Sequence, residues 1–164
     1  SDSLLSTELT LYFASANGMY TVAETRQVYY SRNVTLEKLV MDQLLKGPET
    51  EGLLSALPSG TKLNSISVSE DGVCIVNLDA AIEAAVTGVT ENVTVYSIVN
   101  SLTEIDNVKQ VQILVNGETP HISNVDADLS SAISRNEDII NAVVIEDDDT
   151  DYSEENEEFL IPEE

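Results

Sequence analysis

The sequence predicts an α/β (α+β) two-layer sandwich, with a mixed β-sheet covered on one face by two helices. Three observations lead there. Runs of β-branched and apolar residues come as pairs joined by Asn-Gly or Asp-Gly, the strongest short hairpin signal. Two longer segments carry apolar residues at helical spacing. Their order, β-β-α-β-β-α-β, sets helices between hairpins, which favours a mixed sheet over a strictly parallel one.

The first strand spans Leu9 to Phe13, where apolar residues alternate with Thr10 and Tyr12. Asn17-Gly18 tolerates positive φ and turns the chain. Tyr20 to Tyr30 returns as a second strand, although Glu24 to Gln27 interrupts its apolar pattern. A helix follows from Thr35 to Lys46, with Leu36, Leu39, Val40 and Leu44 on one face. Thr35 caps its start, Gly47 ends it, and Pro48 prevents its continuation. A short segment holding Leu53, Leu54 and Leu57 closes at Pro58 and Gly60.

Leu63 to Val68 and Val73 to Leu78 form a hairpin about Asp71-Gly72. The second arm is apolar on both faces, as expected of a central strand covered on both sides. The second helix runs from Glu91 to Glu104, capped by Thr90, with Val95, Ile98, Val99 and Leu102 as its apolar stripe. Val108 to Val115 is the last strand, and Asn116-Gly117 ends it. Four parts are expected: a leader or linker (1–6), the folded domain (7–120), an extension packing on it (121–145) and an acidic, disordered tail (146–164). Within the extension, Ala127 to Ile140 forms either a helix or an extended wrap around the domain edge.

With 164 residues, 42% of them hydrophobic, the chain has the size and core of one domain. Its 30 acidic and 7 basic residues give a net charge of −23. Residues 146–164 contain 11 of the acids and no base, leaving a body of net −12. A field of that sign repels phosphate backbones and anionic lipid, so nucleic acid is excluded as a partner. No apolar run is long enough to span a bilayer. Ser1 opens the chain without Met, consistent with a processed form whose leader has been removed.

Groups able to do chemistry are scarce. The single Cys74 sits among Val73, Ile75 and Val76 and reads as a buried small hydrophobe, since no neighbouring base lowers its pKa. His121, the single histidine, follows Pro120 in a loop and reads as solvated. It leaves a serine nucleophile without a triad. Asn124, Asp126 and Asp128 resemble part of a calcium loop but lack its central Gly and closing Glu. Glu70-Asp71 and Asp79 with Glu83 are carboxylate pairs that nothing in the sequence places in a cleft. The Glu146–Asp151 run reads as a solvated segment, and Phe159-Leu160-Ile161 as an apolar island of the tail. Tyr12, Tyr20, Tyr29, Tyr30 and Tyr96 serve structure as readily as glycan stacking, and Tyr152 lies in the tail. No catalytic, cofactor-binding or metal-binding residue is therefore assigned.

Several segments together resemble the GerMN family of sporulation and germination proteins. They are Leu9-Thr10-Leu11-Tyr12-Phe13, Leu44-Leu45-Lys46-Gly47-Pro48, Leu57-Pro58-Ser59-Gly60-Thr61, the Asp71-Gly72-Val73 hairpin running into Val76-Asn77-Leu78, the helix at Ile98 to Thr103, and Leu114-Val115-Asn116-Gly117. They specify turns and helix ends rather than chemistry. The resemblance implies a non-catalytic, extracytoplasmic domain, worn as a lipoprotein or otherwise tethered through an N-terminal anchor that this chain does not contain. It also implies a role in sporulation, germination or envelope assembly. The expected partners are envelope proteins or further copies of the chain, gripped through sheet edges or helix faces. The alternative is a lipoprotein that binds cell-wall glycan, peptide or a cation. An enzyme using carboxylates ranks third.

Overall fold

The computed structural model describes residues 4–141. Seven strands and two helices follow in the order β1 (Leu5–Ala14), β2 (Thr21–Tyr30), α1 (Leu36–Lys46), β3 (Leu63–Val68), β4 (Val73–Leu78), α2 (Glu91–Leu102), β5 (Gln110–Val115), β6 (Ile133–Ser134) and β7 (Ile140–Asn141). The expected α+β class and the expected element order are present, with two short strands added at the C-terminal end.

The local reasons are those the sequence supplies. Thr35 Oγ1 accepts the Lys38 amide and Thr90 Oγ1 the Val93 amide, so each helix has its N-cap. Gly47, at φ +94°, closes α1, and its N–H donates to the Leu44 carbonyl. At the β1–β2 turn, Gly18 (φ +72°) has no room for a side chain, because a Cβ there would lie 1.7 Å from the Gly88 carbonyl oxygen. Its own carbonyl accepts the Thr90 amide, which ties the hairpin tip to the start of α2.

The β layer divides where one continuous sheet was expected. One sheet has the order β1-β2-β7 and the other β3-β4-β5-β6. The first pairs antiparallel then parallel. The second pairs antiparallel, parallel, antiparallel. The division has a physical cause at β1. Tyr12 turns its outward amide and carbonyl to a helix instead of a strand: its N–H donates to Ser101 Oγ (2.9 Å) and its C=O accepts from Ser97 Oγ (2.6 Å). Two residues on, Ala14 exchanges both backbone bonds with Leu54.

Helix α2 therefore departs from the expected one-sided rod. Every residue from Val93 to Leu102 is buried. Its polar residues each find a backbone partner: Thr94 on the Ala56 carbonyl, Ser97 and Ser101 on Tyr12, and Asn100 on both the N–H and the C=O of Asn136. α1 buries Leu39, Val40, Met41 and Leu44, while Leu36 in its first turn remains 39% exposed. β4 is central in its sheet but covered on one face only. Cys74, Val76 and Leu78 are buried there, whereas Ile75 on the other face is 38% exposed. β1 also begins earlier than expected: Leu5 and Ser6, placed in the leader by the sequence, pair with Tyr30 and Tyr29.

The segment after Pro120 takes the extended alternative, not the helical one. It crosses the end of β5 as β6, makes one turn of 3-10 helix (Glu137–Ile139), and joins β2 as β7. Leu129, Ile133 and Ile139 along it are part of the common core. The expected tail, with its Phe159–Ile161 island and Tyr152, lies outside the described residues.

Candidate functional site

Most of the charged and polar groups singled out in the sequence are used to hold turns. Asp79 caps a 3-10 turn through the Ala81 amide and also accepts the Lys62 amide. Asp71 accepts the Ser69 hydroxyl inside its own hairpin turn. Glu83 accepts the His121 amide at 2.7 Å, and the His121 imidazole, 88% exposed, lies with Nδ1 3.8 Å from the same carboxylate. Asp126 and Asn92 form a reciprocal pair, the Asp126 amide donating to Asn92 and the Asn92 side chain donating to Asp126. Asp128 accepts the amide and hydroxyl of Ser130 and the hydroxyl of Ser131, and these bonds hold its carboxyl below the usual range. Among the described residues, no three His, Cys, Asp or Glu side chains group as a metal site. Cys74 is fully buried, and burial, helped by the charge of Glu37, pushes its thiol up to about 12.

Two arginine networks went unread in the sequence. Glu24 and Arg26 break the apolar pattern of β2 yet face inward, opposite Leu11 and Leu9. They form an ion pair with each other. Glu24 Oε1 also accepts the amides of Glu49 and Thr50, at 3.0 and 2.9 Å. Arg26 donates to the Gly47 carbonyl and to Gln43 and lies over the Phe13 ring. Burial by itself raises the Glu24 carboxyl, but the bonds from Arg26, Thr50 and Glu49 outweigh it and leave the group below its usual value.

The second network surrounds Tyr12. Its hydroxyl donates to Glu104 (2.8 Å) and accepts from Arg135 (2.6 Å). Arg135 also pairs with Glu104 and Glu137 and donates to the Asn100 carbonyl. Burial and then the Glu104 bond raise the Tyr12 hydroxyl above its ordinary pKa. Burial of Arg135 works against its charge, but Glu137 and Tyr12 hold it protonated. Both networks are internally satisfied, with each charge facing its counter-charge.

What remains open is backbone. Tyr12 and Ala14 point their outward N–H and C=O at α2 and Leu54, so the alternation of the strand points those of Ser6, Glu8 and Thr10 the same way, away from β2. Beside this stretch lies a groove of about 480 Å³. Thr7 to Thr10 form one wall, Leu36 and Val40 of α1 another, and Glu104 to Asn107 after α2 the third. A sequence-level signal existed only in part. The Leu9-Leu11-Phe13 alternation gives the parity of the strand, but nothing local says which strand is an edge.

Comparison with known proteins places the fold. The solved structure of the tandem GerMN domains of the sporulation protein GerM from Bacillus subtilis is matched with a TM-score of 0.65 and 24% identity, over 83% of this chain and 48% of that one. This chain thus spans about half the length of that structure. The first GerMN domain of the same protein aligns with a TM-score of 0.66 and 23% identity, over 79% of this chain and 98% of that one. A candidate lipoprotein from Clostridium perfringens aligns with a TM-score of 0.52 and 24% identity, over 82% of this chain and 91% of that one. No curated protein matches. The family model Germane, described as sporulation and spore germination, matches residues 10–120, from the first strand to the proline that precedes the C-terminal wrap, and the chain belongs to that family.

Proposed function

We propose that this domain is a non-catalytic, extracytoplasmic interaction module that scaffolds an envelope complex concerned with sporulation, germination or envelope assembly. The observation that carries this reading is the contrast between spent side chains and unspent backbone. The carboxylates, arginines and buried hydroxyls described above hold the fold together, whereas the outer edge of β1 offers N–H and C=O groups beside a groove of mixed polar and apolar lining. Such an arrangement suits gripping another chain better than transforming a substrate. The kinship with GerM and with a candidate lipoprotein supports an extracytoplasmic location. Among the described residues no helix is long and apolar enough to cross a membrane.

The test is crosslinking and co-purification of the domain from envelope fractions, together with light scattering across a concentration series. A specific envelope partner, or reversible self-association, is expected. A domain that stays monomeric and captures nothing would overturn the reading. A second reading, binding of cell-wall glycan or peptide, is favoured by a groove of about 410 Å³ that sets Tyr20 beside Glu91, Asp126 and Asp138. A rise in melting temperature with muropeptides would support it in place of the first.

A further inference from the structure

We infer that the open edge of β1, from Ser6 to Thr10, receives an extended segment of a partner protein in which apolar residues alternate with Lys or Arg. This inference rests on the reading of the domain as an interaction module and names the chemistry of what it grips.

The two halves of β1 differ in their outer edge. At Tyr12 and Ala14 the outward backbone groups are taken by Ser97, Ser101 and Leu54. At Ser6, Glu8 and Thr10 no partner for those groups exists among the described residues. Unpaired strand edges are templates for a further strand, and a row of donors and acceptors at two-residue spacing matches only another extended backbone.

The groove then states which side chains that backbone should carry. An added strand continues the pleat of β1, so its residues alternate between the two faces that β1 presents. On the face of Leu9 they meet the α1 wall, where Leu36 is 39% exposed. On the face shared by Glu8, Thr10 and Tyr12 they meet acid. Glu8 lies on the strand itself, Glu104 is anchored to the Tyr12 hydroxyl, and Asp106 lines the same groove. Glu104 is already paired with Arg135, but Glu8 and Asp106 have no cationic partner among the described residues. Apolar residues toward α1 and basic residues toward Glu8 satisfy both faces.

Other occupants fit less well. A second copy, paired antiparallel about this stretch, sets Glu8 against Glu8 and brings together two bodies of the same negative sign. The residues 146–164 carry 11 acidic groups and no basic one, and are repelled by the same rim. The outer edge of β3 borders a different groove, but there Lys38 is paired with Asp42 and Lys62 adds positive charge, which does not suit a basic segment.

The probe is a capped seven-residue peptide alternating Lys and Val, compared with its Glu–Val counterpart, titrated into the isotope-labelled domain. The Lys–Val peptide should bind, slow the amide exchange of Glu8 and Thr10, and leave the already sealed Tyr12 unchanged. The Glu–Val peptide should not bind. Thr10→Pro removes one outward donor without touching the β1–β2 ladder and should weaken binding by about tenfold, the loss of one backbone hydrogen bond. Glu8→Lys, an exposed change that leaves the backbone intact, should weaken it while the domain's melting temperature stays the same. The inference is overturned if the Lys–Val peptide fails to bind, if both variants bind it as well as the parent, or if protection develops away from β1. It is equally overturned if the domain self-associates and Thr10→Pro abolishes that association, because the edge then serves a second copy. An envelope partner that protects amides elsewhere overturns the edge assignment while leaving the interaction reading intact. The absence of any partner overturns the reading itself.

Discussion

The two ends of β1 are built from similar residues and meet different fates. From Tyr12 to Ala14 the strand is sealed: helix hydroxyls and Leu54 occupy its outer edge, and the Tyr12 ring is clasped by Glu104 and Arg135. From Ser6 to Thr10 the same edge borders an open groove. Strand propensity does not separate the two halves. The difference lies in α2, whose C-terminal turn reaches Tyr12 with Ser101 and then leads the chain away into Glu104 and Ile105. Burial of polar groups closes an edge here, and one helix end decides where the closure stops.

The largest loss of stability is expected underneath the strand. Arg26→Met leaves Glu24 buried without its counter-charge and should cost about 3–5 kcal/mol in urea unfolding. Joint replacement of Glu24 and Arg26 by apolar residues of similar size should cost distinctly less, since no charge is then stranded. Next comes the seal itself. Ser97→Ala with Ser101→Ala orphans the buried N–H and C=O of Tyr12 and should cost about 1–3 kcal/mol per group. Thr10→Ala, on the open half, should fall within about 0.5 kcal/mol of the parent.

Acid sharpens the same contrast. The Glu24 carboxyl lies below its usual value in the folded chain and regains that value on unfolding. The unfolded state therefore takes up its proton first as pH falls. The stability that Glu24 contributes is complete above the unfolded pKa, about 4.3, and is lost as pH drops through the lower folded value. Urea midpoints measured from pH 6 to pH 3 should decline, and the decline should be shallower in Glu24→Gln. The smallest effect concerns Cys74: with its thiol pushed up to about 12 and no exposure, it should react with a thiol reagent only at the rate of unfolding.

Much of this architecture was legible because its punctuation is local. Thr35 and Thr90 cap, Gly47 stops, and Asp71-Gly72 turns, each through bonds to residues within a few positions. What could not be read depends on partners far along the chain. Glu24 and Arg26 seemed to interrupt a strand because the amides and carbonyl that accommodate them belong to residues 47–50. The apolar stripe of α2 does not reveal that its polar residues are buried as well, since Ser97, Ser101 and Asn100 are answered by residues 12 and 136. The division of the sheet follows from those same bonds and was hidden with them. The segment after Pro120 leaves a helix and an extended wrap equally open in its sequence, because it is held by scattered contacts such as Leu129, Ile133 and Arg135. The open groove was invisible for a similar reason: its three walls come from β1, α1 and the residues after α2.

Native-state amide exchange along β1, followed by NMR in the isolated domain, tests the account most directly. Leu9, Leu11, Tyr12 and Ala14 should exchange slowly, and Glu8 and Thr10, interleaved with them, should exchange fast. Slow exchange at Glu8 and Thr10 in the unpartnered monomer, or fast exchange at Tyr12, would contradict an edge that is sealed at one end and open at the other.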